Sequence, residues 1–162
     1  METAPHLLDE AFTGTAVLNV LVKSGTLTFP AQSNGRASIA DVLVRRFGQT
    51  FENVYTVCLA TPPTGRVRAF ACDWLVGMSE KASGLVRVGC GRYEWQFRDA
   101  EPCLAEALRL TIEHMEVLPA TTLEPVMRWL SSLPYPWCPA RAAARSAPAD
   151  LAQLDQIIAY LN

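Results

Sequence analysis

Residues 85–97 read Leu-Val-Arg-Val-Gly-Cys-Gly-Arg-Tyr-Glu-Trp-Gln-Phe, and the second half alternates without a break. Tyr93, Trp95 and Phe97 occupy one parity; Arg92, Glu94, Gln96 and Arg98 occupy the other. Successive side chains of a strand point to opposite faces, so this stretch has one apolar and one wet face, as in an antiparallel sheet. Earlier in the run Val86, Val88 and Cys90 share the opposite parity, and Gly89 and Gly91 sit at the switch. The reading is a β-bulge at those glycines that re-aims the strand.

Such a strand needs partners. Residues 54–59 (Val-Tyr-Thr-Val-Cys-Leu) are β-branched and apolar on both faces, as an interior strand is. After the Pro62-Pro63-Thr64-Gly65 turn, residues 66–76 resume extended structure, and residues 26–29 form a short strand closed by Pro30. Helices surround these strands. Residues 7–23 carry Thr15, Asn19 and Lys23 every four positions, a polar helical stripe. Ser38 caps a helix holding Ile39, Val42, Leu43 and Phe47 and ended by Gly48. Leu104, Ala107, Leu108, Leu110, Thr111 and Met115 give residues 101–115 a broad apolar helical face. A further helix, capped by Thr121 or Thr122, carries Leu123, Val126, Met127 and Leu130.

The expected fold class is therefore α+β: a mostly antiparallel sheet of about four strands flanked by N-terminal and C-terminal helices. Residues 1–133 form one domain, and residues 134–149, with four prolines, form a linker or arm. Residues 150–162 form an amphipathic helix through Leu151, Leu154, Ile157, Ile158 and Leu161. With 50% hydrophobic and 19% charged residues, disorder and coiled coil are excluded. No apolar run reaches the roughly 18 residues that span a bilayer, and the acidic start lacks the basic opening of a secretory leader. The expectation is a cytoplasmic protein. Arg outnumbers Lys by 12 to 2, which with the many alanines suggests a GC-rich bacterial genome.

Cys58, Cys72, Cys90, Cys103 and Cys138 contain no C-x-x-C half-site and read as reduced structural thiols. His6 and His114 are the only histidines, and no H-E-x-x-H occurs. His114 reads as a surface or half-buried residue. A thiol-dependent enzyme would use Cys72 or Cys90 with His114 as base, the least favoured option. No phosphate-binding loop is present, and no cofactor or metal is expected.

Two binding classes remain. Residues 36–98 carry a net +4, against −2 before and −4 after. Helix, strand, helix and paired strands over residues 5–98 follow the order of a winged-helix DNA-binding regulator. Arg45, Arg46, Arg66 and Arg68 are its candidate nucleic-acid contacts, and residues 50–59 its would-be recognition helix, although that segment holds Glu52 and no basic residue. The preferred expectation is a non-enzymatic bacterial accessory protein that binds another protein, as inhibitor, chaperone-like or assembly factor. Its candidate contacts are Tyr93, Trp95, Arg92, Tyr135 and Trp137, and the C-terminal helix could pair a homo-oligomer.

Overall fold

The computed structural model describes residues 5–24 and 27–162, with side chains from Leu7 onward. Six strands form one mixed sheet: β1 Phe12–Val22, β2 Gln32–Asn34, β3 Phe51–Leu59, β4 Ala69–Glu80, β5 Val86–Phe97 and β6 Ala105–Leu118. Their order is β2-β1-β6-β5-β4-β3. Neighbours are antiparallel except β1 and β6, which run parallel from Val17 beside Ala107 to Val22 beside Ile112. A 3-10 turn, Pro5–Glu10, precedes β1. One helical rod spans residues 36–50: α1 Arg36–Ala40 passes through a π-helical stretch, Asp41–Arg46, into α2 Phe47–Thr50. After β6 come α3 Leu123–Ser131, α4 Ala140–Ser146 and α5 Asp155–Leu161.

The α+β class stands; the expected four strands are six, and two expected helices are strands. Residues 12–22 form β1. Gly14 and the valines at 17, 20 and 22 disfavour a helix, and pairing with β6 decides the matter. Residues 105–118 form β6, whose apolar positions imitate helical spacing because the strand carries two extra residues. Cys90 pairs with His114 but Gly91 with Ile112, leaving Glu113 over; Gln96 pairs with Ala107 but Phe97 with Ala105, leaving Glu106 over. Each insertion flips the parity. Ala105, Leu108, Leu110, Ile112 and Met115 therefore share one face at steps of two and three.

The bulge expected at Gly89 and Gly91 does fall at that point of the β5–β6 ladder, between Cys90 and Gly91, but its extra residue lies on β6 and not on β5. Pairing of β5 with β4 runs without a shift from Ala69 opposite Gln96 to Ser79 opposite Val86. The strand keeps one alternation throughout, and each of its ends is apolar on a different face. Gly89 and Gly91 accommodate close approach: a Cβ on Gly91 would lie 1.9 Å from the Thr111 carbonyl oxygen and 2.7 Å from the Trp74 ring. Other local expectations also shift. Thr26 lies outside the described residues, residues 27–30 have no regular structure, and the short strand is β2. The rod begins beyond Gly35, with Ser38 inside it, and runs past Gly48.

Both sheet faces are covered, by different parts of the chain. The C-terminal face packs Val57, Leu75, Val86, Val88 and Leu118 against Val126 and Leu130 of α3, with Leu154 and Ile157. Residues 134–149 help seal it. The Cys58 N–H donates to the Pro136 carbonyl (2.8 Å) and the Cys138 N–H to the Cys58 carbonyl (2.9 Å), so the segment runs along the free edge of β3. Cys138 and Ala143 are fully buried, and the Trp129 indole donates to the Ala143 carbonyl at 3.0 Å. The N-terminal face packs Leu18, Val76, Met78, Leu110, Ile112 and Met115 under Ile39 and Val42 of the rod. Among the described residues no helix is long and apolar enough to cross a membrane.

Candidate functional site

The rod crosses the N-terminal face on a diagonal. At its start Arg36 donates to the Phe12 carbonyl (3.1 Å) and pairs with Asp9 (2.9 Å). Its end runs directly into Phe51, the first residue of β3, opposite Glu80 at the far end of β4. A diagonal cover leaves a corner. The corner left here consists of the last residues of β3, the first of β4 and the last of β5. Exposure follows that line: Val76, Met78 and Met115 are buried, whereas Cys58, Phe70, Tyr93, Trp95 and Phe97 are only half-buried.

The corner is floored with rings. Phe70 lies opposite Trp95 in the strand register, and Cys72 opposite Tyr93. Trp74 and Tyr93 lie 5.9 Å apart, Tyr93 and Trp95 6.0 Å, and Trp95 stacks on Phe97 at 6.1 Å. Phe12 closes the β1 side, 5.7 Å from Trp95, and Trp137 closes the β3 side, 5.8 Å from Phe70. Beside Phe97 opens a cavity of about 360 Å³ lined also by Gly65, Arg66, Val67, Glu101 and Cys103. We call the whole feature the aromatic trough.

On its floor the polar groups are few and neutral, while the charged Arg66 and Glu101 line the cavity beyond Phe97. The Trp74 side chain is 4% exposed, and its indole N–H is buried with no acceptor among the described residues. A buried donor left unpaired costs about 1–3 kcal/mol. Burial, and then the neighbouring thiols of Cys58 and Cys72, pushes the Tyr93 phenol well above its ordinary range, so it stays protonated as a hydrogen-bond donor. Cys58 and Cys72 share this face on adjacent strands. The neighbouring Cys72 thiol holds the Cys58 pKa below its ordinary value, and Cys58 together with burial raises that of Cys72. Among the described residues the trough floor bears no carboxylate or cation, and no group of three or more His, Cys, Asp and Glu could hold a metal ion.

The structure thus gathers Tyr93, Trp95 and Trp137 of the five expected contacts and separates the other two. Arg92 points to the C-terminal face, where it pairs with Asp73 (3.2 Å), and Asp73 accepts from the Tyr160 hydroxyl (3.0 Å). Tyr135 is 65% exposed and packs on Tyr55. His114 is half-buried on that same face, its ring 6.0 Å from Tyr160 and its Nδ1 buried without a partner among the described residues. Cys90 also lies there, fully buried, and burial pushes its thiol up to about 12. Sequence reasoning missed Phe12, Phe70, Cys58 and Trp74 as members of one site. The signal lay in their register against Tyr93 and Trp95, which needs the strand pairing to be read.

The DNA-binding expectation fails on geometry. Residues 51–59 are a sheet strand, so no recognition helix exists there. Arg45 and Arg46 end the π-helical stretch before β3, and Arg66 and Arg68 follow β3, a separation of about 26 Å along that strand. Arg46 is paired with Asp41, and Arg66 with Asp99 and Glu101.

No family model matches the chain, and no curated protein matches it by sequence. Solved structures do match. An NTF2-like superfamily protein from Salmonella enterica serovar Typhimurium superposes with a TM-score of 0.53 at 15% identity, over 69% of this chain and 79% of that one. A computationally designed binder of 17-OHP gives 0.52 at 16% identity, over 71% and 88%. A protein from Rhodopseudomonas palustris, provisionally described as an isomerase, gives 0.51 at 10% identity, over 64% and 72%. These likenesses overturn the expectation of a non-enzymatic accessory protein that binds other proteins or DNA, because the architecture recurs in a designed 17-OHP binder and in a protein provisionally described as an isomerase. The chain shares the fold of its NTF2-like neighbour, an α+β architecture of one six-stranded mixed sheet with a few helices.

Proposed function

We propose that the protein binds a small, neutral, ring-bearing molecule in the aromatic trough. The observation that carries this reading is the run of half-exposed rings Tyr93, Trp95 and Phe97 on the sheet corner that the diagonal rod leaves uncovered. Ligand sites are concave, mostly apolar and fitted with a few placed polar groups, which describes this corner. Flat rings can lie on the Trp95 and Phe97 faces at about 0.5–1.5 kcal/mol per ring pair beyond area burial. A carbonyl or hydroxyl oxygen on the ligand can accept from the Tyr93 phenol. The absence of charge among the described floor residues favours a neutral ligand, because an ion placed there would lose its hydration without a partner. The designed neighbour's description as a 17-OHP binder supports reading this fold as one that can hold a ligand. A reducing, cytoplasmic setting fits the five free thiols.

Three of the four tryptophans, Trp74, Trp95 and Trp137, border the trough, so intrinsic fluorescence reports its occupancy directly. Titration with neutral two- to four-ring ketones, dihydrochalcone first, should quench that fluorescence saturably, and Trp95→Ala should weaken binding at least tenfold. If no member of the series quenches saturably, the reading is wrong.

A further inference from the structure

At the edge of the sheet opposite β3, between β2 and the flank of the rod, lies a cavity of about 570 Å³. Ligand sites commonly enclose about 300–1,000 Å³. Ser33 forms its inner wall. Ser33 stands opposite Leu18 in the strand register and so shares the face on which Leu18 is buried beneath the rod. It is 6% exposed, and its hydroxyl has no hydrogen-bond partner among the described residues, which leaves that group to the cavity. The edge of β2 supplies more. The Ala31 carbonyl accepts from the Val20 N–H (3.0 Å), and the Gly35 N–H donates to the Ala16 carbonyl (2.8 Å). Bonding direction alternates along a ladder, so the backbone N–H and C=O of Gln32 and Asn34 turn outward. Among the described residues no further strand pairs with that edge, and both residues border the cavity.

The rod furnishes the facing wall. Asp41 and Arg46 are ion-paired at 2.8 Å although five residues separate them. In a regular α-helix of 3.6 residues per turn they would point about 140° apart. The π-helical stretch Asp41–Arg46 widens the turn and brings both to the flank that borders the cavity. Interruptions of this kind are frequent at functional sites. The wall thus offers an acceptor and a donor side by side with no net charge. Ser38 adds a hydroxyl, and Pro30 and Val42 add apolar surface.

We infer that this cavity is a second ligand site, which takes a neutral polyhydroxylated ring, a monosaccharide. Each sugar hydroxyl both donates and accepts, so it can answer the alternating donors and acceptors of the β2 edge, Ser33 and the Asp41–Arg46 pair. The C–H face of the ring can lie on Val42 and Pro30. A ligand with a net charge would have to compete with the ion pair instead. The site shares no residue with the trough and stands apart from the trough reading.

The test is titration of isotope-labelled protein with methyl α-D-glucopyranoside, methyl β-D-galactopyranoside and methyl α-D-mannopyranoside, followed through the backbone amide resonances. At least one glycoside should saturably shift Gln32, Ser33, Asn34 and Asp41 and leave Trp95 and Phe97 unmoved. Ser33→Ala should weaken that binding about fivefold, through loss of one buried hydrogen bond. Ser38→Leu, at an exposed position that lines the cavity, should abolish it and keep the wild-type urea midpoint. Glycine and inorganic phosphate should shift none of these residues. If no glycoside moves residues 32–41, or if the shifts survive Ser38→Leu, the cavity is not a sugar site. Larger shifts with glycine or phosphate than with any glycoside overturn the neutral class of ligand.

Discussion

The two faces of the sheet are built from the same strands and end in opposite conditions. On β5, Val86, Val88 and Cys90 enter a closed core under α3 and α5, and Tyr93, Trp95 and Phe97 enter a half-open trough on the other side. The closed face is covered by three helices and a strap tied by backbone hydrogen bonds to the edge of β3. The open one has a single rod, laid corner to corner. Rings therefore remain half-exposed where no helix arrives, which is where a ligand can replace the missing cover. The contrast teaches that side chains of similar hydrophobicity end fully buried or half-exposed according to what lies over them.

The contrast can be broken from its stable side first. Leu130 is fully buried on the closed face, so Leu130→Ala should cost about 2–5 kcal/mol in urea unfolding and leave the affinity for trough ligands unchanged at low denaturant. Next comes Gly91, whose added methyl would press on the Thr111 carbonyl and the Trp74 ring. Gly91→Ala should cost about 1–3 kcal/mol and also weaken binding, since it displaces the trough floor. Trp95→Ala inverts the first result: about 1–2 kcal/mol of stability should go, with the tenfold or larger loss of binding already stated. Equal effects of Leu130→Ala and Trp95→Ala on binding would erase the distinction between the faces.

The smallest effect concerns acid. Glu80 is held below the usual carboxylate range by the Ser83 hydroxyl and then by Arg87, whose Nε donates to Oε1 at 2.6 Å. A depressed carboxyl stabilises the fold above its unfolded pKa of about 4.3, and that stabilisation fades as pH falls through the lower folded value. Glu80→Gln should therefore narrow the stability gap between the two proteins as the buffer goes from pH 6 to pH 3, measured as urea midpoints. A gap that widens on acidification would contradict the sign.

How much of this was legible in the residues can be judged strand by strand. Residues 54–59 and 85–97 announce themselves because β-branched runs and strict alternation have no helical counterpart. β6 was hidden because Glu106 and Glu113 each add a residue and reset the parity, which converts alternation into helical steps. β1 was hidden because it pairs in parallel with a strand some ninety residues later, a partner that local pattern cannot reveal. Tyr93, Trp95 and Trp137 were picked out as contact residues by their alternation and their proline-flanked segment, and the structure brings those three together on one face.

The residues alone determined that a strand with rings on one side and charges on the other must exist, since side-chain direction along an extended chain is a local property. Which of its sides would be roofed, and where the roof would stop, depended on the path of residues 36–50 and 134–149 across the sheet. Long-range register alone brings Cys58, Cys72, Trp74 and Tyr93 onto one floor, because strand pairing fixes neighbours that sequence distance keeps apart.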